Sequence, residues 1–242
     1  ETFMALEPPH YRIDEDWVKR KGAYDAGKIW AMGQFASSAN LLELIADTKR
    51  NRQGIMPELM MFDCHACHSP MSKKDWSKDL ARSPGQARIN NSSLIMVQAI
   101  VRAAAPQHSS DIAKLVNQLH IASTSPAANF AEVERAANVL HAQLNTVRKV
   151  VATVPFNEQV LEKILKDLVN MAANNQYADF AGAEQAYMSI SSVANGLARK
   201  GNSRIAQTVN SKMYRLLKLL SNDEAYDREA FQSELLALKA AV

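Results

Sequence analysis

Cys64 and Cys67 are the only cysteines in the chain, and His68 follows directly in the stretch MMFDCHACHSPMS, residues 60–72. Two thiols separated by two residues support a short menu of chemistry. The redox pair of a thiol oxidoreductase normally stands at the end of a strand in a thioredoxin-like sheet, and the chain offers no strand pattern to hold one. A structural zinc ion takes four ligands; without a second cysteine pair it would need His68 and a remote histidine. A disulfide here would close a tiny loop and add little to a helical core. The fourth chemistry uses every residue of CHACH. Two thiols add to the vinyl groups of haem, and the adjacent histidine coordinates the iron on its proximal side. Cysteines three apart lie on one side of about one helical turn, matching the two vinyl edges. We therefore expect one covalent haem c on Cys64, Cys67 and His68, with thiol redox and zinc as the competing readings.

The far side of the iron decides the function. A second histidine or a methionine suits electron transfer, whereas an open position permits small-molecule binding or peroxide chemistry. The candidates are His10, His108, His120, His141 and ten methionines. His10 sits in EPPHYR, where two prolines stiffen the approach, and is the expected distal ligand. His108, in APQHSS after a proline, is the alternative. His120 follows Val116 by four positions on a partly apolar face and reads as a core histidine. His141 shares the polar side of its helix with Glu134, Asn138 and Asn145 and reads as solvated. Met32, on the inward face of an early helix, is the best methionine. Met60, Met61 and Phe62 read as core or haem-edge packing, and His65 as solvent-facing. Pro70 could place a carbonyl that orients His68 through its other ring nitrogen.

Helices must position these groups, since the chain holds only eight glycines and eight prolines and lacks alternating strand patterns. Val133, Ala137, Leu140, Leu144, Val147 and Val151 step by fours and threes along one helix face. Asn129 with Glu132 makes a start signal for it. Leu161, Ile164, Leu165, Leu168 and Met171 form a second stripe, and Ile205, Val209, Met213, Leu216 and Leu220 a third, entered through Gly201 and Asn202. Phe231, Leu235 and Leu238 give a short last stripe. Earlier, residues 26–48 read as a helix with Ile29, Met32, Leu41, Leu42 and Ile45 inward. Residues 57–68 read as a shorter helix, 69–90 as a loop, and 91–105 and 110–122 as two more helices. The expected class is all-α, a helical bundle or array. A haem-bearing half, residues 1–124, would precede a helical scaffold or docking region, residues 125–242, and the two could pack as one body.

At 242 residues, 47% apolar and 22% charged, the composition is that of an ordinary globular protein. The formal charge of +3 is too small to argue for nucleic acid. No apolar run approaches the roughly 18–20 residues that a membrane-spanning helix needs. The start at Glu1 rather than a methionine leads us to expect an upstream segment: a removed signal peptide, a stretch cut off at an engineered boundary, or the front of a longer protein. After the motif, Lys73, Lys74, Lys78, Arg82 and Arg88 outnumber Asp75 and Asp79; they read as a solvated loop, and could also steer an acidic redox partner.

The segments PPHYRID, AGKIWAMGQFASSANLLELIAD and PELMMFDCHACHSPM resemble the last haem-bearing part of bacterial multihaem c-type cytochromes related to the tetrahaem cytochrome of nitrifying bacteria. The resemblance covers roughly residues 6–75. It implies a covalent haem, a periplasmic or extracellular location, and electron transfer through neighbouring haems, including haem domains upstream in the same chain. It places Cys64 and Cys67 at the thioether positions and His68 as the proximal ligand. The chain departs from the pattern at Ser69, where members often carry a second histidine, and in holding one haem motif rather than several. The expected function is an exported electron carrier whose partners are other haem or redox proteins. A haem enzyme or gas sensor with an open sixth position, and an interaction module with a structural haem, are the alternatives.

Overall fold

Side-chain caps on aspartate and asparagine start most of the helices. The computed structural model describes residues 14–22, 25–47, 49, 62, 89–124, 129–240 and 242. Among the described residues there are nine α-helices: α1 Glu15–Lys21, α2 Ala26–Ala46, α3 Ser92–Ala104, α4 Ser109–Thr124, α5 Phe130–Thr153, α6 Glu158–Ala173, α7 Phe180–Arg199, α8 Ser203–Leu219 and α9 Arg228–Leu236. A 3-10 turn, Pro106–His108, joins α3 to α4. Seven of the nine begin at an Asp or Asn whose side chain accepts a backbone N–H of the first turn: Asp14, Asp25, Asn129, Asn157, Asp179, Asn202 and Asp227. Each such cap stabilises its helix by about 1 kcal/mol. Gly201, at φ +103°, turns the chain between α7 and α8 in a conformation that disfavours a side chain.

The all-α class is therefore observed, and the described residues contain no strand. Their one piece of β pairing is an isolated antiparallel bridge between Phe62 and Ile89. The stripes read from periodicity are the buried faces of α5, α6 and α8, with Val133 near the start of α5 and Leu220 just past α8 only half-buried. The expected helix over 57–68 and loop over 69–90 lie almost wholly outside the described residues.

One inward face differs from expectation. In α2 the buried residues are Trp30, Ala31, Gln34, Phe35, Ser38, Leu42 and Ile45, with Ala26 and Gly27 at its start, while Ile29, Met32 and Leu41 are only half-buried. The reason is that α2 is contacted by α3, α5 and α7, so polar residues enter its interior where each finds a partner. Trp30 Nε1 donates to Ser189 Oγ at 3.2 Å, Ser38 Oγ donates to Ser93 Oγ at 3.1 Å, and Gln185 Nε2 donates to Gln34 Oε1 at 3.1 Å. These bonds tie residues on both sides of position 125 into one apolar cluster.

Helix α7 carries no strong stripe because its buried face is mostly small: Gly182, Ala183, Ala186, Ser189, Ser192, Ala194 and Gly196. That face lets α2 come very close. A Cβ built on Gly196 would lie 3.3 Å from Leu161 Cδ1 and 3.7 Å from the Gly27 backbone nitrogen, and one on Gly27 would lie 2.6 Å from Leu161 Cδ2. Leu161 is fully buried, so it cannot swing into solvent to make room. At the far end, Tyr177, Phe180, Tyr226 and Phe231 meet edge to face or tilted, and the Tyr177 hydroxyl donates to the Leu168 carbonyl at 2.7 Å. Burial pushes that hydroxyl far above the usual phenol range.

We expect Gly27→Ala to lower stability by about 1–2 kcal/mol, because overpacking costs about 1–3 kcal/mol and the helix-propensity gain returns at most about 1. In a Leu161→Ala background the same change should cost nothing. Urea unfolding of the four proteins measures this, and a Gly27→Ala single variant as stable as the parent would show that Leu161 has room to shift.

Candidate functional site

Phe62 is the described residue nearest in sequence to the cysteines, and it forms an antiparallel bridge with Ile89. Phe62 packs half-buried against the main core, and Ile89 is buried. Phe62 precedes Cys64 by two residues, and consecutive Cα atoms are 3.8 Å apart, so the two Cα atoms are separated by at most about 7 Å. Cys64, Cys67, His68 and His10 themselves lie outside the described residues, as do the basic positions from Lys73 to Arg88.

From Ile89 the chain enters α3, whose 13 residues carry it about 19 Å away. It turns through Pro106–His108 and returns along α4. The connection is short, so the two helices are antiparallel neighbours. This hairpin separates the two described candidates on it. His108 is half-buried at the turn, with its backbone N–H donating to the Ala105 carbonyl at 2.9 Å. His120 lies 12 residues further on, near the end of α4, about 18 Å away along the helix axis. It therefore returns to the Ile89 end. Ile89, Asn91 and Leu94 line a small pocket with Val116, Leu119 and His120.

The ring of His120 is partly enclosed, and its Nε2 is buried. Its carbonyl accepts Ser123 Oγ at 2.9 Å and Thr124 Oγ1 at 2.8 Å, which fixes the last turn from which the ring projects. The periodicity reading of His120 as a core residue missed this shared pocket. A usable signal was present: the short APQH link between two apolar stripes places the end of one beside the start of the other.

His141 is more than a solvated residue. On α5 its side chain is only 25% exposed, and its Nε2 lies 3.2 Å from Glu43 Oε1 on α2. The same nitrogen lies 3.2 Å from Asn145 Nδ2. It can donate to Glu43 or accept from Asn145 according to its tautomer. Met32 packs half-buried against the core from α2. No group of three or more His, Cys, Asp or Glu side chains that could hold a metal ion occurs among the described residues. Nor does any described helix have the length and apolar character needed to cross a membrane.

A partly enclosed charged pair joins α3 to α6: Arg102 Nε donates to Asp167 Oδ2 at 2.6 Å. Burial raises the Asp167 carboxyl above the usual carboxylate range, and the guanidinium only partly opposes this.

Comparison of the chain with protein-family models, with curated proteins and with solved structures gives no match.

The Glu43 side of the His141 pair is 62% exposed, so solvent screens it. We expect His141→Ala to change stability by less than about 1 kcal/mol in chemical denaturation. A loss of several times that would make the pair a fixed part of the α2–α5 interface.

Proposed function

We propose that this chain is an exported c-type cytochrome module with one covalent haem, exchanging electrons with partner redox proteins or neighbouring haems. The observation that carries this reading is the Cys64-x-x-Cys67-His68 sequence, which uses all the thiols of the chain and follows Phe62, a residue packed against a core built by the described helices. The competing thiol chemistry calls for a sheet, and the described residues supply none. The donor set fits haem: two thiols at vinyl spacing, then an imidazole. Bound haem would supply a one-electron iron couple. Cys64 and Cys67 would tether it, and His68 would ligate the iron. The potential would follow from the second ligand and from burial against the helical body. The likeness of residues 6–75 to multihaem cytochromes supports export and neighbouring haems as the electron route. The helices after residue 125 then act as scaffold or docking surface.

The test is to produce the chain where haem can be attached and record spectra of the purified protein. We expect a haem spectrum in alkaline pyridine that stays with the polypeptide through acid–acetone extraction and is lost in the Cys64→Ala/Cys67→Ala variant. Absence of any pyridine haem spectrum would end the cytochrome reading. A prompt shift of the reduced protein with carbon monoxide would instead mark an open sixth position, and with it an enzyme or sensor.

A further inference from the structure

We propose that the outer face of α8 is a docking surface for an acidic amphipathic helix of a partner protein; this rests on the reading of the helices after residue 125 as a docking region, and not on the haem. Helix α8 turns its buried stripe toward α7 and α9. On its other side Gln207, Asn210, Tyr214 and Leu217 are exposed and step by three, four and three along one line. Tyr214, 64% exposed, is the most exposed large apolar side chain among the described residues, and Leu217, one turn on, is 47% exposed. An apolar pair set in a polar surround has the anatomy of a small interface. The Lys218 Nζ stands 5.0 Å from the Tyr214 ring centroid. That contact restrains both side chains, so less rotamer freedom is lost when a partner arrives. A straight line of side chains at helical spacing is the surface that a second helix packs against.

Charge selects the occupant. Helix α8 carries Arg204, Lys212, Arg215 and Lys218 and no acidic residue. Lys212 is engaged with the Ala237 carbonyl, and Arg215 lies 3.7 Å from Glu234. Arg204 and Lys218 make no ion pair among the described residues, so the charge nearest the apolar pair is left for carboxylates from outside. An anionic membrane fits less well. Asp223 and Glu224 are exposed just past the end of α8, where a planar anionic surface would meet them, whereas a partner helix can place its own charges around them. The face is about 25 Å long, which puts it among small, transient interfaces whose strength depends on salt.

The probe is a labelled synthetic helix as long as α8, with leucines on one face and glutamates on the other, titrated into the full chain by fluorescence anisotropy. A scrambled peptide of the same composition and vesicles of phosphatidylglycerol run beside it. We expect the amphipathic peptide to bind and to shift the backbone amides of α8 in nitrogen-15 spectra. Tyr214→Ala/Leu217→Ala and Arg204→Glu/Lys218→Glu should each weaken it by about tenfold, the loss of one interface anchor, with unchanged unfolding curves because all four side chains are exposed. Val139→Ala, on the exposed side of α5, should match wild type. Equal binding of the scrambled peptide, wild-type affinity in both α8 variants, or no peptide binding at all would overturn the proposal. Vesicle binding without peptide binding would overturn it in favour of a membrane. A wild-type dimer that the α8 variants turn into monomer would overturn it in favour of a second copy of the chain. None of these outcomes touches the haem reading, which stands or falls on the pyridine spectrum.

Discussion

The close approach of α2 to α7 over Leu161 is the constraint on which the rest of the packing depends. Gly196 packs against the Gly27 backbone, and the absence of a side chain at 27 leaves the space that Leu161 from α6 fills. With α2 held there, Trp30 meets Ser189 and Gln34 meets Gln185. The opposite flank of α2 is left for α5, and Ser38 pairs with Ser93 at the start of α3. One steric contact thus sets the register of α2 against three other helices. Close packing transmits such a setting because interior side chains have few voids into which to relax.

That register reaches the pocket through α3. Its buried face, from Ser93 to Val101, is contacted by α2, α6 and α7, and the Arg102–Asp167 bond fixes its far end against α6. Burial raises the Asp167 carboxyl and the Arg102 guanidinium opposes that rise, while the bond between them joins α3 to α6. With both ends of α3 fixed, α4 folds back along it and His120 comes to rest opposite Ile89. The histidine is thereby carried on a helix, not on a loop.

The polar interior of α2 also explains why the molecule tolerates an early helix of modest amphipathic character. Its serine, glutamine and indole N–H groups are all paired across helices, and paired polar groups specify register where apolar contacts alone would allow sliding. The aromatic group of Tyr177, Phe180, Tyr226 and Phe231 does the same for the C-terminal end. There Tyr226 donates its hydroxyl to the Tyr177 carbonyl at 3.0 Å.

The sequence by itself determined the chemistry on offer and most of the local structure. CHACH names its donor atoms without any fold, and Asn129 and Asn202 mark helix starts because a cap acts within four residues. The stripes on α5, α6 and α8 are legible because a helix with one buried face must repeat its apolar residues at the helical period. Where a helix is contacted on several sides, that rule fails. The buried set of α2 and the small-residue face of α7 were decided by neighbours distant in the chain, as with Trp30 and Ser189, 159 positions apart. The same holds for the candidate ligands. Spacing put His120 on an apolar face, but only the antiparallel return of α4 along α3 decided that this face meets Ile89 and that His108 stands at the other end. Periodicity reports which side of a helix is turned inward; which partner it meets there depends on contacts that no local pattern encodes.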